Sequence, residues 1–332
     1  MLLSKNIQSL KNASKNNLLQ FDVDLVYTWV DGSDPAWRAK HDRFAGIAPE
    51  THSGEDCRGR YVSNDELKFS LRAAEKYAPW IRNIYIVTDN QVPDWLDTSN
   101  PRIHIVDHSE ILPSESLPTF NSSVIEHSLY RIPGLAEHFL YANDDMFFNR
   151  PVEKSDFFTP DGRAIARLNR RLFRKTFWKL REKLFHKTHS YYNKSVMKSA
   201  RLVEKRFGRF YGDKPHHNID AYLKSNLMHV REDLFRDEID KVMGNHLRID
   251  SDIQRVLYLF AAIAEGKALR KYVSRSTSFH VHIHNPTHLN KLERIKPMLF
   301  CVNDSQYASD DDRRRVRAFL EKRFPEMSHF EL

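Results

Sequence analysis

The chain has 332 residues, 41% of them hydrophobic and 12% aromatic, and a formal net charge of +8. That length holds one large α/β domain, or one domain with a sizeable insertion, and that apolar content excludes global disorder. The positive excess calls for a negatively charged partner: nucleic acid, a membrane surface, a nucleotide or a polyanion.

The first twenty residues are polar and rich in Asn, Lys and Ser, and read as a leader or loose helix. They have no long apolar region and no small-residue cleavage site, so no signal peptide is expected. No run of about 18 apolar residues occurs anywhere, so no spanning helix is expected either, and any membrane contact would be peripheral. Two cysteines, Cys57 and Cys301, lack metal-type spacing and suggest a reducing, cytoplasmic setting.

Asp22 to Val30 is rich in β-branched and aromatic residues and reads as a buried strand running into the turn Asp31-Gly32-Ser33-Asp34-Pro35. Open α/β sheets place their ligands at such strand exits. Residues 38–60 read as a loop or lid. Ser63 to Tyr77 reads as a helix, with Ser63 and Glu66 as a capping box. Ile84 to Thr88 and Ile103 to Val106 are strands, Ser122 to Ile132 is a helix, and Phe139 to Ala142 is a strand leading into Asn143-Asp144-Asp145. This alternation predicts a mostly parallel α/β sheet.

From Arg163 to Lys214 basic residues are dense and the only acids are Glu182, Glu204 and Asp213; the spacing predicts one or two basic amphipathic helices. Further helices are expected over Ile219 to Phe235, Ile249 to Ala264 and Asp310 to Phe324. Strands are expected over Ser278 to His284 and Lys296 to Asn303. The chain thus divides into a leader (1–20), a first part of the core (21–162), a basic helical insertion (163–214), and a second part of the core with a C-terminal helix (215–332).

Asp144 and Asp145 at a strand exit suit a divalent cation, which would in turn hold a diphosphate; a solvated turn fits the same residues. Asp31 and Asp34 sit at a similar exit between Trp29 and Trp37, where an aromatic can stack on a base or simply belong to the core. Glu126 lies on a predicted helix. His217, next to His216, has the pKa range of a general base, and Arg248 could offset charge on a transferring phosphoryl group. His280, His282 and His284 alternate and would share one strand face, either as metal ligands or as a plain strand surface. The basic helices fit a membrane surface or a polyanion; no recognisable nucleic-acid motif is present, and nucleic acid is not an expected partner.

Read in order, these segments form a pattern. Asp24-Leu25-Val26-Tyr27-Thr28-Trp29-Val30-Asp31-Gly32-Ser33-Asp34 resembles the first signature block of the Stealth family of bacterial capsular-polysaccharide phosphotransferases. Asn64 to Arg72, Ala78 to Thr88, Leu117 to Ser122, Ile125-Glu126 and Tyr141 to Phe148 resemble the second. His217-Asn218-Ile219-Asp220 through Arg248 and Ser251-Asp252-Ile253-Gln254 resemble the third, and Lys296-Pro297-Met298 through Asn303-Asp304 a fourth. Residues 163–214 fall outside the match.

The resemblance implies a GT-A-like nucleotide-sugar transferase core, a UDP-N-acetylhexosamine donor, a growing capsular oligosaccharide as acceptor, and Mg²⁺ or Mn²⁺. It implies a catalytic set of Glu126, Asp145, His217 and Arg248, with His216 competing for the role of base. The cation falls to Asp144 and Asp145, and the donor to Trp29, Asp31, Gly32, Ser33, Asp34 and Asn143. Two rival readings stay open: a metal-dependent glycosyltransferase that releases UDP, and a non-enzymatic binder of anionic polymer or membrane through residues 163–214, which could also dock on a capsule-assembly complex.

Overall fold

The computed structural model describes residues 19–46, 62–171 and 189–332, together with Thr176 and Leu180. The leader reading up to residue 18, the lid over residues 47–60, Cys57, and most of the basic stretch between residues 172 and 188 lie outside the described residues.

The strands in chain order are β1 (Val23–Thr28), β2 (Ile84–Thr88), β3 (Ile103–Asp107), β4 (His138–Asn143), β5 (Met146–Phe148) and β6 (Ala164–Asn169). They continue as β7 (Lys214–Pro215), β8 (Asp220–Leu223), β9 (Ala268–Tyr272), β10 (Ser278–His282) and β11 (Leu299–Asn303). The helices that shape the site are α1 (Pro35–Ala45), α2 (Glu66–Tyr77), α3 (Ser122–Glu126), α4 (Tyr191–Phe207), α5 (Val256–Ala264) and α6 (Asp310–Arg323).

The central sheet runs β3-β2-β1-β4-β8. Its first four strands are parallel and β8 is antiparallel to β4. The period-two alternation of a strand sorts its side chains onto two cores. Val26, Val87, Phe139 and Tyr141 face one core with α4 and α5; Leu25, Tyr27, Ile86 and Leu140 face the other with α2. One charged side chain is built into the strands' entry end. Asp24 is fully buried and accepts from Arg82 Nε and Nη2 at 2.9 and 2.7 Å and from the amides of Asn83 and Ala136 at 3.1 and 2.7 Å. It therefore pins the starts of β1, β2 and β4 to one another, and their C-terminal ends emerge side by side.

Two three-stranded sheets flank this layer: β10-β11-β5 and β7-β6-β9. In the first, Cys301 of β11 pairs with Met146 of β5 on one side and with His280 of β10 on the other. This register carries β10 and β11 up against the loop that follows β4.

Several elements differ from the sequence expectation. The stretch beginning at Arg163 opens as strand, not helix: Ala164–Asn169 is nearly all buried and pairs in parallel with β9. Its charge misleads because Arg167 is itself buried, donating to the Asp156 carbonyl and lying 4.8 Å above the Phe157 ring. A helix does follow at α4, closed by Gly208 in the left-handed region. Likewise Asp220–Leu223 is strand, because the sheet edge beside β4 takes it before the helix begins at Lys224. Ser63 does not cap α2; the helix starts after Asp65, and Glu66 accepts from the Asn64 amide and side chain at 2.5 and 2.6 Å. The segment from Pro35, read partly as loop, is helix α1.

Candidate functional site

A cavity of about 790 Å³ opens at the C-terminal ends of β1 and β4. Trp29 and Asn143 line it from those strand ends, Asp144 and Asp145 from the turn after β4, and Glu126 from α3. His216, His217 and Arg248 line it from the later part of the chain. Residues as far apart in sequence as Trp29 and Arg248 thus share one space. Asp31, Gly32, Ser33 and Asp34 are not among its lining residues. Asp31 accepts from the Ser33 amide and hydroxyl at 2.8 and 2.6 Å, and Asp34 caps α1 through the Ala36 amide at 2.8 Å. Gln91 donates to Asp34 at 2.9 Å and accepts from the Asp31 amide at 2.9 Å, which fixes this loop beside β1. Trp37 lines the cavity from α1, stacked on His41 and edge-to-face with Phe120.

The acidic wall is crowded. Burial pushes the Asp144 carboxyl well above its usual range, and Asp145 and Glu66 add to the shift. Asp145 is pushed up to about 7, by burial first and with Glu66 adding, against the Cys301 thiol that donates to its Oδ2 at 3.3 Å. Its Oδ1 is buried with no hydrogen-bond partner among the described residues. Buried polar atoms are normally paired. Two adjacent carboxyls with raised pKa values, one with an orphaned oxygen, fit a divalent cation of the oxygen-seeking kind, which would favour their ionised form.

Opposite stands a charged network. Arg255 is buried and donates from Nη1 to Glu126 and from Nη2 to Asp220, at 3.1 and 3.2 Å. Asp220 also bonds His216 Nε2 at 2.8 Å, and Tyr141 donates to Glu126 at 3.1 Å. Burial would raise Asp220, but His216 and Arg255 outweigh it and hold the carboxyl below its usual value. At Glu126 burial wins over Arg255 and the carboxyl is raised.

His217 sits in the left-handed region, at φ 51°, which swings its ring away from His216 and against His280. Burial first, then His280, Arg255, His216 and Lys214, holds its pKa well below 6.5, so the imidazole is neutral at neutral pH. Arg248 donates to Ser122 at 2.7 Å. Its loop is anchored by Asp252, which accepts from Asn121, Tyr191, Asn245 and the Ile249 amide at 2.6 to 3.1 Å.

The sequence reading missed Arg255, Lys214 and Glu66, all of which line the cavity. Glu66 was assigned to a helix cap, and Arg255 directly follows the Ser251-Asp252-Ile253-Gln254 block. Of the three alternating histidines, His280 and His282 line the cavity and His284 does not.

The conserved region described as Stealth protein CR1 matches residues 21–47, and the one described as Stealth protein CR2 matches residues 60–166. An exopolysaccharide phosphotransferase of Streptomyces coelicolor is 34% identical over 94% of this chain and 57% of its own length. A capsular polysaccharide phosphotransferase of Haemophilus influenzae is 32% identical over 92% of this chain and 84% of its own. The chain belongs to the Stealth family. It spans little more than half the length of the Streptomyces relative. In structure it is similar to the galactosyltransferase LgtC, with a TM-score of 0.45 and 11% identity over 92% of this chain and 96% of that one. No helix among the described residues is long and apolar enough to cross a membrane.

Two predictions follow from the site's electrostatics. Arg255→Met leaves Glu126 and Asp220 facing each other in the interior without their shared cation. It should cost about 3–5 kcal/mol of stability, read as a fall in the urea midpoint. The second concerns pH. Asp145 holds its proton up to about pH 7 in the folded chain, whereas an unfolded Asp ionises near pH 3.9. The folded state therefore binds more protons across that window, and without a cation its stability should fall as pH rises. A cation needs the ionised form, so thermal stabilisation by Mg²⁺ or Mn²⁺ should be slight at about pH 5 and grow through about pH 7. Asp145→Asn should abolish that growth in differential scanning fluorimetry.

Proposed function

We propose that this protein transfers a hexose- or N-acetylhexosamine-1-phosphate from a UDP-sugar to a sugar hydroxyl, releasing UMP and extending a phosphodiester-linked surface polysaccharide. The observation that carries the reading is the convergence in one cavity of a paired-carboxylate cation site, a neutral histidine and a fixed arginine. Phosphoryl transfer needs positioning and charge stabilisation more than covalent chemistry, and these groups supply both. The family membership, and the names of the relatives as polysaccharide phosphotransferases, support the same class.

The divalent cation would be held by Asp144 and Asp145 and would supply Lewis-acid charge to the donor diphosphate. Trp29 and Asn143 line the wall at the strand ends where the donor would lie. The Asp31–Asp34 loop would act on the donor through the position it gives β1 and α1. His217, neutral in the resting protein, accepts the proton of the attacking hydroxyl at its free ring nitrogen. An anionic diphosphate beside it raises its pKa toward neutrality and makes it a better base. Arg248 faces the equatorial oxygens and stabilises their charge. Glu126, fixed by Arg255 and Tyr141, keeps the floor of the site acidic and rigid. The sugar keeps its anomeric configuration because its C1–O bond stays intact.

His217→Ala and Arg248→Ala should each lose about 10²–10⁴-fold in turnover while unfolding at the wild-type urea concentration. His216→Ala should instead lower stability, since His216 is locked to Asp220. The assay is acceptor-dependent UMP release from UDP-N-acetylhexosamines with Mg²⁺. Near wild-type turnover in either first variant would contradict its role, and release of UDP would make the protein a glycosyltransferase.

A further inference from the structure

Beside the oxygen ligands of the acidic wall lies a second donor set of different chemistry. One ligand atom from each of His217, His280 and Cys301 lies within 4.8 Å of the other two. The fold makes this cluster by register. Cys301 and His280 are paired neighbours on β11 and β10, and the left-handed turn at His217 brings its ring to 5.0 Å from the His280 ring.

Two further features resemble a ligand site more than a strand surface. The His217 backbone carbonyl faces the His280 ring as a hydrogen-bond acceptor, and His280 Nε2 is buried with no partner among the described residues. A metal-bound histidine commonly donates its other ring N–H to a carbonyl, which aims the free nitrogen at the ion. The Cys301 thiol donates to Asp145 Oδ2 at 3.3 Å, so a further oxygen stands at the edge of the cluster.

Two imidazoles and a thiol are a poor set for Mg²⁺, which takes oxygen, and a good one for Zn²⁺ or Co²⁺. Bonds of about 2.0 Å to nitrogen and about 2.3 Å to sulfur imply donor separations near 3.5 Å, which side-chain rotation of about an ångström provides.

We propose that His217, His280 and Cys301 form a site for a thiophilic divalent cation of the Zn²⁺ class, and that its occupancy stops turnover. On binding, Cys301 gives its thiol proton to solvent and coordinates as thiolate, and each histidine gives a ring lone pair; no redox change is involved. The lone pair taken from His217 is the one that would accept the hydroxyl proton. The inhibitory half of this inference rests on the role proposed above for His217; the binding half does not.

The test uses the whole chain, reduced and stripped of metal, with Co²⁺ as the probe. One equivalent should give a thiolate-to-cobalt charge-transfer band. Cys301→Ser should lose the band, Cys57→Ser should keep it, and His280→Gln should weaken cobalt binding about tenfold or more. In the Mg²⁺-supported assay, Zn²⁺ should inhibit the wild type reversibly, with chelator restoring activity. Cys301→Ser should need about tenfold or more Zn²⁺ for the same inhibition. A wild-type protein without the band, or a Cys301→Ser protein that keeps it, overturns the site. A band with turnover untouched at saturating Zn²⁺ overturns the inhibition and, with it, His217 as base. Absence of sugar-phosphate transfer without Zn²⁺ fails the functional reading alone, because the cobalt spectrum is read without turnover.

Discussion

The site depends on one buried cation, Arg255. It bonds Glu126 of α3 and Asp220 of β8 at once, and lies 5.0 Å over the ring of Tyr141 in β4. A buried ion pair gains its attraction only after both partners have been stripped of water, so such a network contributes more to geometry than to net stability. Here it ties α3 directly to β8, adding to the β4–β8 ladder and the Tyr141–Glu126 bond that join each of them to β4. Through Asp220 it also fixes His216, which leaves His217, the next residue, to take the strained backbone that turns its ring toward the cavity. Glu126, an unremarkable helix glutamate by its sequence alone, is held in a cavity wall by this arginine.

A consequence is the division of the cavity by charge. Asp144, Asp145 and Glu66 crowd one wall and form no ion pair among the described residues, while Arg248, Arg255 and Lys214 also line the cavity. Burial raises Asp144 and Asp145 first, and the charges of neighbouring carboxylates, Glu66 for both and Asp145 for Asp144, add to it. A divalent cation on the acidic wall and phosphate oxygens between the two walls would neutralise both halves. The arrangement suits the proposed substrate class, an anionic group that would arrive with a metal. A non-enzymatic polyanion binder has no need of the acidic half.

Much of the fold was legible in the residues themselves. Ile84–Thr88 has the expected bounds because an unbroken apolar run with turn residues after it has one good solution, a strand buried on both faces. The acidic exit of β4 was equally plain. What failed was any segment whose state is set by a distant partner. Asp220–Leu223 is a strand because β4 offers an open edge, and Ala164–Asn169 because β9 lies beside it, more than a hundred residues later. At the site, Asp144, Asp145, Glu126, His217 and Arg248 were read from blocks of sequence, and they meet in one cavity. The Asp31–Asp34 loop shows the opposite case: its side chains serve turn and cap chemistry beside the cavity, a use its sequence fits as well as ligand binding. Arg255 carried no local signal, since only its partners from two other elements reveal what it does.

The central claim is that the bond broken lies between the two phosphorus atoms of the donor, leaving the sugar C1–O bond intact. The most direct test is a UDP-N-acetylhexosamine donor carrying ¹⁸O in the oxygen between C1 and phosphorus, incubated with Mg²⁺ and an oligosaccharide acceptor. Mass spectrometry then locates the label. The account predicts all of it in the sugar–phosphate linkage of the extended acceptor, and none in the released nucleotide. Label recovered in UDP would mean attack at C1 and would contradict sugar-1-phosphate transfer.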